Sequence, residues 1–189
     1  MKLNLPNKLT VLRMILVPIF VVVMMVSDAL WASITGLCLF VIASLTDMLD
    51  GKIARRNNLI TDFGKFMDPL ADKLLVFGAM IGLLVINRGD ELFCKIFVWV
   101  AFIIIFRELA VTSMRMVVSN SEGIVIAANI WGKLKTLSQL IGIVIIILEP
   151  LVWDCYAVSY VFMGIMVFTT LFSGFNYFKA YWPYINSNK

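Results

Sequence analysis

The 189-residue sequence contains no histidine and only three cysteines. Without histidine the chain lacks the commonest general base and the commonest transition-metal ligand. Any acid–base or metal chemistry must therefore use Asp, Glu, Lys or Tyr. The cysteines Cys38, Cys94 and Cys155 are far apart and odd in number, which favours neither a disulfide framework nor a zinc site. We expect them to behave as small hydrophobic residues.

Charge is also scarce, at 15% of residues, whereas 61% are hydrophobic and the mean hydropathy is +0.95. Soluble domains are about 45–50% apolar, and a core formed by so short a chain cannot absorb the excess. The surplus must face lipid. We therefore expect the net charge of +4 to favour contact with anionic lipid headgroups. It does not indicate nucleic-acid binding, because the sequence predicts no soluble basic domain.

Six apolar runs are long enough for membrane helices, which need about 20 residues each. They predict an all-α, polytopic integral membrane protein whose short links leave a single domain, residues 1–189. The first run lacks a convincing signal-peptide cleavage site, so we expect it to be retained. The predicted spans are Leu9–Val26, Leu30–Leu49, Phe66–Ile86, Leu92–Val118, Ile130–Leu148 and Trp153–Phe178.

The positive charges predict the orientation of these spans. Six spans place both termini on one side, and that side holds every Lys and Arg except Arg88 and Lys95. Cytoplasmic segments carry such an excess. We therefore expect both termini and the link between the second and third spans to be cytoplasmic, in the cell membrane.

Four aspartates flank that link. Asp47 and Asp50 are spaced i, i+3 at the end of the second span, and Asp68 and Asp72 are spaced i, i+4 at the start of the third. Each pair shares a helix face, and a short link makes the two helices antiparallel neighbours. Four carboxylates meeting at membrane depth would repel one another unless a cation were bound. Oxygen ligands favour Mg²⁺, Mn²⁺ or Ca²⁺, and four carboxylates suit two ions. The alternative is a solvated acidic loop, which we expect for Asp62 alone.

Small residues accompany the aspartates. Gly51 and Ala54 leave a groove where a substrate can approach the backbone, and Gly64 is expected to allow a tight turn into the third helix. Arg55 can pair with a phosphate. On the first span, Asn7, Thr10 and Arg13 recur at i, i+3, i+6 near the cytoplasmic surface. We expect Asn7 and Thr10 to contact the substrate; the alternative is a helix start with a snorkelling arginine.

These residues form a pattern, D-x-x-D-G-x-x-A-R-x8-G-x-x-x-D-x-x-x-D, that resembles the signature of the CDP-alcohol phosphatidyltransferases. The pattern is complete here: Asp47, Asp50, Gly51, Ala54, Arg55, Gly64, Asp68 and Asp72. The resemblance implies an enzyme that moves a phosphatidyl or similar group from a CDP-linked lipid to an alcohol and releases CMP.

The resemblance also implies roles for these residues. Asp47, Asp50 and Asp68 would bind Mg²⁺ or Mn²⁺, and Asp72 would bind metal or act as the general base. Gly51 and Ala54 would line the cytidine pocket, and we expect the CDP-linked lipid also to contact Asn7, Thr10, Asp50, Arg55 and Gly64. Family members are typically homodimers. A hydroxyl attacking the metal-held pyrophosphate must lose its proton, and Asp72 is placed to accept it.

Three cations bear on the acceptor alcohol. Arg107 and Arg115, with Glu108, lie in the fourth span, and Lys135 begins the fifth. Intramembrane charges usually face a partner or a wet cavity. A neutral or zwitterionic acceptor gives no reason for three cations, whereas a phosphorylated one does. We expect Arg107, Arg115 and Lys135 to bind that phosphate; the alternative is a structural ion-pair set.

The segments PNKLTVLR, RELAVTSMR and GKLKTLSQ are similar to those of bacterial phosphatidylglycerophosphate synthases. This resemblance implies transfer from CDP-diacylglycerol to glycerol 3-phosphate, giving phosphatidylglycerol phosphate and CMP. Inositol phosphate remains an alternative acceptor. A divalent-cation transporter would also use intramembrane carboxylates, but nearer the bilayer midplane and between repeats. A non-catalytic scaffold would leave the aspartate spacing unexplained.

Overall fold

A computed structural model describes residues 4–26, 29–56, 62–87, 89–122, 130–153 and 155–184, with side chains except at 48–56, 62, 65 and 119–122. All regular structure within these ranges is helical, which confirms the all-α prediction. The six α-helices are α1 Leu5–Val26, α2 Leu30–Arg56, α3 Asp62–Ile86, α4 Glu91–Glu122, α5 Ile130–Val152 and α6 Ala157–Tyr181, followed by a short 3₁₀ turn, Trp182–Tyr184.

Five of the helices, α1, α2, α3, α5 and α6, are long and apolar enough to cross a membrane. The polytopic architecture is thus confirmed, and five of the six predicted spans correspond to helices that are suited to crossing a membrane. The 32-residue α4 contains the remaining predicted span together with Lys95, Arg107 and Glu108, and its crossing stays a prediction.

Glycines let α1 pack closely against its two neighbours. A Cβ at Gly36 of α2 would lie 2.5 Å from Met24 Sδ, and a Cβ at Gly78 of α3 would lie 2.5 Å from Val17 Cγ1. Membrane helices use small residues in this way because packing, not water exclusion, drives their association. The order of the contacts shows that α1 runs antiparallel to α2 and parallel to α3. Its N-terminal end therefore lies beside the end of α2 and the start of α3.

The second half of the chain forms a similar group. Met166 of α6 fills the space beside Gly142 of α5, and Ser138 of α5 and Thr169 of α6 lie 2.7 Å apart through their hydroxyls. Helix α6 also packs along α4, while α3 contacts both α4 and α5 and so joins the two halves. The last turns of α2, α4 and α6 and the first turns of α1, α3 and α5 consequently meet at one end of the bundle.

Side-chain burial follows the membrane pattern. Polar residues are fully enclosed, including Thr10, Gln139 and Ser173, while large hydrophobic residues such as Trp99 and Phe168 are exposed on the outer surface. A water-soluble monomer rarely exposes apolar surface on this scale. The arrangement supports the lipid-facing exterior that the composition predicts.

The end of the bundle away from the aspartates is held by buried polar contacts. Glu149 of α5 accepts hydrogen bonds from the first turn of α6: Val158 N at 2.7 Å, Ser159 N at 2.5 Å and Ser159 Oγ at 2.5 Å. Tyr156 donates to Asn87 Oδ1 at 2.8 Å and links α6 to α3. All three cysteines are free; Cys38 and Cys155 are exposed and Cys94 is partly buried.

Candidate active site

The N-terminal half of α1 presents a buried polar face to α2 and α3. Asn7 is 6% exposed, and Thr10 and Arg13 are fully buried. Thr10 Oγ1 donates to Asp68 Oδ1 at 2.7 Å, and Arg13 Nη1 pairs with Asp47 Oδ1 at 2.5 Å. The snorkelling alternative for Arg13 is therefore wrong, because the guanidinium turns inward to a carboxylate instead of outward to water.

Three of the four predicted aspartates lie at this end of the bundle. Asp47 and Asp68 both face α1. Asp72, one turn beyond Asp68, is exposed and interacts electrostatically with Asp47, Glu108 and Lys135. Asp47 of α2 and Asp72 of α3 are thus close enough to interact electrostatically, whereas the convergence of all four carboxylates stays a prediction.

Part of the predicted site lies outside the described side chains: Asp50, Gly51, Ala54 and Arg55. Helix α2 nevertheless continues through all four positions, so Asp50 stands one turn after Asp47 on the same helix. Asp62, expected in a solvated loop, is the first residue of α3, where an acidic residue suits the helix dipole.

Gly64 differs from its prediction. Because α3 begins at Asp62, Gly64 is a buried residue in the first turn of the helix. It does not form the turn that leads into α3. The sequence-based span began later, at Phe66, because the polar residues before it hide the true start of the helix.

The predicted acceptor site is built around Glu108. This carboxylate pairs through Oε1 with Lys135 Nζ of α5 and, at 3.1 Å, with Arg107 Nη1. Both cations are buried, at 7% and 8% exposure. Arg107 also donates to Ser173 Oγ of α6 at 2.7 Å, and its guanidinium carbon lies 5.6 Å from the centre of the Tyr177 ring. Two helices thus hold Arg107 in a fixed orientation.

A small cavity connects this cluster to the aspartates. Its volume is about 10 Å³, enough for roughly one water molecule. The cavity lies between α3, α4 and α5. It is lined by Asp72, Lys73, Val76, Glu108, Lys135, Thr136 and Gln139. The predicted base and one predicted acceptor cation therefore face the same space.

The sequence comparisons match this architecture. Residues 3–172 match the model of the CDP-alcohol phosphatidyltransferase family. The chain belongs to the CDP-alcohol phosphatidyltransferase family. It is accordingly an enzyme of lipid metabolism that transfers a substituted phosphate group.

Relatives cover nearly the whole chain. A Bacillus subtilis protein named CDP-diacylglycerol–glycerol-3-phosphate 3-phosphatidyltransferase is 39% identical over 198 residues, covering 98% of each chain. Proteins with the same name from Rickettsia typhi and Pseudomonas fluorescens are 37% and 33% identical. They cover 94% and 98% of this chain and 96% and 94% of their own lengths.

CDP-alcohol phosphatidyltransferases are generally metal-dependent, and the donor set here fits a hard divalent cation. Its side chains are carboxylates with no competing nitrogen or sulfur ligand, the set that Mg²⁺ and Mn²⁺ prefer. Among the described side chains no three acidic groups gather as a ligand cluster; Asp50 lies outside that set. The α1 contacts use Oδ1 of Asp47 and Oδ1 of Asp68, and an ionised carboxylate offers about four lone-pair sites in all.

Several residues of this family member's site were not assigned from the sequence. The sequence places Glu108 beside Arg107 but does not indicate its ion pair with Lys135 of α5. Ser173 and Tyr177 are polar residues spaced i, i+4 in the apolar α6, a signal that marks a shared buried face. Arg115 is exposed two turns beyond Arg107, and its predicted contact with phosphate stays untested.

Proposed function

We propose that this protein transfers the phosphatidyl group of CDP-diacylglycerol to glycerol 3-phosphate, giving phosphatidylglycerol phosphate and CMP. The observation that carries the proposal is the cavity in which Asp72 faces Lys135 and Glu108, since it sets buried cations beside the aspartate motif. The names of relatives that match almost the full length support the same reaction.

The donor is assigned to the aspartate motif. Asp47, Asp50, Asp68 and Asp72 would hold Mg²⁺ or Mn²⁺, one ion or two. When bound, the cation neutralises charge on the pyrophosphate and polarises the phosphorus to be attacked. Gly51 and Ala54 lack bulk and would leave room for the cytidine, and Gly64 of α3 would also contact the donor.

Two polar contacts to the donor complete this assignment. Arg55 pairs with a donor phosphate, and Asn7 borders the donor from α1. Thr10, predicted as a further donor contact, directs its hydroxyl to Asp68, so we assign it to the carboxylate rather than to the lipid.

Asp72 is the proposed general base. It borders the cavity, while the hydrogen bond of Thr10 goes to Asp68 and the ion pair of Arg13 goes to Asp47. As the acceptor oxygen bonds to the phosphorus of the phosphatidyl group, Asp72 takes the hydroxyl proton. The bond from that phosphorus to the bridging oxygen breaks, and the oxygen leaves with CMP. Correct placement of the hydroxyl supplies much of the rate, because a positioned group reacts as if at very high concentration.

Lys135 and Arg107 are the proposed phosphate ligands. Both cations form ion pairs with Glu108. An acceptor phosphate would therefore compete with this carboxylate for the N–H groups of Lys135 and Arg107. A phosphate carries up to two negative charges against one on Glu108, which favours the exchange. Inositol phosphate would satisfy the same cations and is the alternative acceptor.

A cation transporter fits less well, because the described aspartates lie at one end of the bundle and α2 and α3 are continuous helices. Transporters usually place such ligands near the midplane on broken helices. We also propose, from the charge distribution, that both termini and the aspartate end face the cytoplasm, in the cell membrane. A homodimer is proposed from family resemblance.

An acceptor panel tests the reaction. Purified protein is given radiolabelled CDP-diacylglycerol with Mg²⁺ and either glycerol 3-phosphate, inositol phosphate, glycerol, choline or serine, and both CMP and lipid product are measured. We expect rapid product formation with glycerol 3-phosphate and little with unphosphorylated glycerol. Preference for inositol phosphate would make it the acceptor instead of glycerol 3-phosphate. Preference for a neutral alcohol would refute the proposed phosphate-binding site.

A further inference from the structure

Helix α1 contacts one aspartate on each of its two neighbouring helices. Thr10 reaches Asp68 of α3 at 2.7 Å, and Arg13 reaches Asp47 of α2 at 2.5 Å. Both α1 side chains are fully buried. We call Thr10 and Arg13 the α1 clamp, because one rigid element fixes carboxylates from two different helices.

Packing alone does not require these contacts. The α1–α3 interface is already interlocked where Val17 fills the space at Gly78 and Phe20 the space at Gly82. Thr10 also has a local acceptor, Pro6 O, at 3.1 Å. A hydroxyl carries one hydrogen, and the shorter contact is to Asp68. The buried hydroxyl would be satisfied without Asp68, so the long-range contact acts on the carboxylate.

Both contacts leave the carboxylates able to bind a cation. Each involves Oδ1 of its aspartate, and an ionised carboxylate has two oxygens with about four lone-pair sites. A carboxylate that is fixed through one oxygen and binds a cation with the other is a common arrangement in metal sites. Loss of the fixing partner typically weakens metal affinity about 10- to 100-fold.

We propose that Thr10 and Arg13 are positioning residues that orient Asp68 and Asp47 as ligands for a divalent cation. This inference rests on the proposed function in one respect, that these aspartates bind Mg²⁺ or Mn²⁺. It does not depend on which alcohol accepts the phosphatidyl group. In this proposal both residues act through the aspartates and not on the reacting atoms.

Mn²⁺ titration of the purified full-length protein, in detergent and without substrates, tests the clamp. Free Mn²⁺ is followed by electron paramagnetic resonance for the unsubstituted protein, Thr10→Val, Thr10→Ser and Arg13→Lys. Thr10→Val keeps the shape but removes the donor, and we expect Mn²⁺ affinity to fall about 10- to 100-fold. Thr10→Ser should restore most of it. Arg13→Lys keeps the charge but not the planar fork, and should also weaken binding.

Thr46→Val is the matched control. Thr46 precedes Asp47, and its hydroxyl donates to Ala43 O of its own helix at 2.7 Å. Thr46→Val therefore makes the same chemical change as Thr10→Val but removes no contact to a carboxylate. We expect unchanged Mn²⁺ affinity. Melting temperatures without metal are measured for every variant. Because stability is measured independently of metal, a general loss of packing is distinguished from a loss of ligand position.

A kinetic measurement adds a second readout. If the clamp positions metal ligands, excess Mn²⁺ should restore much of the turnover of Thr10→Val while KM for the acceptor stays near its original value. If Thr10→Val cannot be purified folded, Thr10→Ser and Arg13→Lys decide the question through the metal concentration that gives half-maximal activity.

Three outcomes would overturn the proposal. The first is unaltered Mn²⁺ affinity in both Thr10→Val and Arg13→Lys. The second is equal weakening in Thr10→Val and Thr46→Val. The third is an unsubstituted protein that binds no Mn²⁺, which would also remove the metal from the proposed function. Failure of glycerol 3-phosphate in the acceptor panel would leave the Mn²⁺ titrations, and hence the clamp, unaffected.

Discussion

Lys135 of α5 and Glu108 of α4 form an ion pair in which both side chains are largely buried, with 9% and 13% of their surface exposed. A buried charge without a partner is costly, so the ion pair with Glu108 compensates the buried lysine and orients its side chain. Arg107 shares the same carboxylate oxygen. The acceptor end of the site is thus an assembled cluster of charges rather than a set of separate surface residues.

Lys135→Gln should raise KM for glycerol 3-phosphate about 10- to 150-fold, because a charge-assisted hydrogen bond contributes about 1.5–3 kcal/mol. The phosphate is remote from the attacking hydroxyl, so kcat should change less. Steady-state assays with each substrate varied separately measure this. Lys133→Gln, an exposed position on the same helix, is the control and should leave both KM values unchanged. An increase confined to KM for CDP-diacylglycerol would assign Lys135 to the donor.

Arg107→Lys should recover only part of the activity that Arg107→Ala loses. Lysine keeps the charge but cannot reach Glu108 and Ser173 together as the guanidinium does. The expected loss for Arg107→Ala is again about 10- to 150-fold in kcat/KM for glycerol 3-phosphate. Equal activity of the Lys and Ala variants would show that the planar guanidinium of Arg107 is not required for activity with glycerol 3-phosphate.

Arg115→Ala separates the exposed arginine from the buried one. Because Arg115 is exposed, we expect a smaller rise in KM for glycerol 3-phosphate than for Arg107→Ala, as water competes for its hydrogen bonds. The same kinetic assays measure it. Equal losses in the two variants would place Arg115 in the phosphate site, as the sequence predicts, and no change would remove it.

Sequence reasoning located the aspartates because their spacing is a local property of a helix. Asp47 and Asp68 both contact α1 at one end of the bundle, and the i, i+3 and i, i+4 spacings place Asp50 and Asp72 near the same helix faces. The start of α3 was misplaced because apolar content marks where a helix enters lipid, not where its hydrogen bonding begins. For the same reason Gly64 was taken for a turn residue.

The contacts between helices were less predictable. Nothing local to Thr10 or Arg13 indicates that one reaches α3 and the other α2; this depends on the parallel and antiparallel packing that glycines such as Gly78 and Gly36 permit. The bridging role of Glu108 likewise requires α4 and α5 to be brought together. Spacing along one helix shows which residues share a face, but not which face of another helix they meet.

Glu149→Gln should destabilise the protein without changing its chemistry, since Glu149 lies at the opposite end of the bundle. The carboxylate accepts three hydrogen bonds from the start of α6, and an amide replaces one acceptor oxygen with a donor. A buried donor left unsatisfied costs about 1–3 kcal/mol. Thermal unfolding in detergent measures the loss. Glu91→Gln is the control, because its ion pair with Lys95 is exposed and contributes at most about 1 kcal/mol. Equal melting temperatures for the two variants would contradict this role for Glu149.

Removal of divalent cations should abolish turnover, and Mg²⁺ or Mn²⁺ should restore it. Asp47→Asn, Asp50→Asn and Asp68→Asn should each reduce activity by several orders of magnitude, because a neutral amide is a weaker ligand for a hard cation. Size-exclusion chromatography and melting temperature verify that each variant folds. Full activity in excess chelator would refute metal assistance.

Asp72→Asn should separate proton transfer from metal binding. Asp72 is exposed and borders the cavity shared with Glu108 and Lys135, whereas Asp68 is held by Thr10. If Asp72 mainly accepts the hydroxyl proton, Asp72→Asn should lower kcat about 10²- to 10⁴-fold. Binding of CDP-diacylglycerol in the presence of metal should change little. Asp68→Asn should instead weaken both metal and donor binding. Equilibrium binding of labelled CDP-diacylglycerol, measured without acceptor at saturating Mg²⁺, compares the two variants directly. A loss of donor affinity in Asp72→Asn as large as that in Asp68→Asn would make Asp72 a metal ligand. The proton of the acceptor hydroxyl would then need another acceptor, and Glu108 is the other carboxylate that lines the cavity.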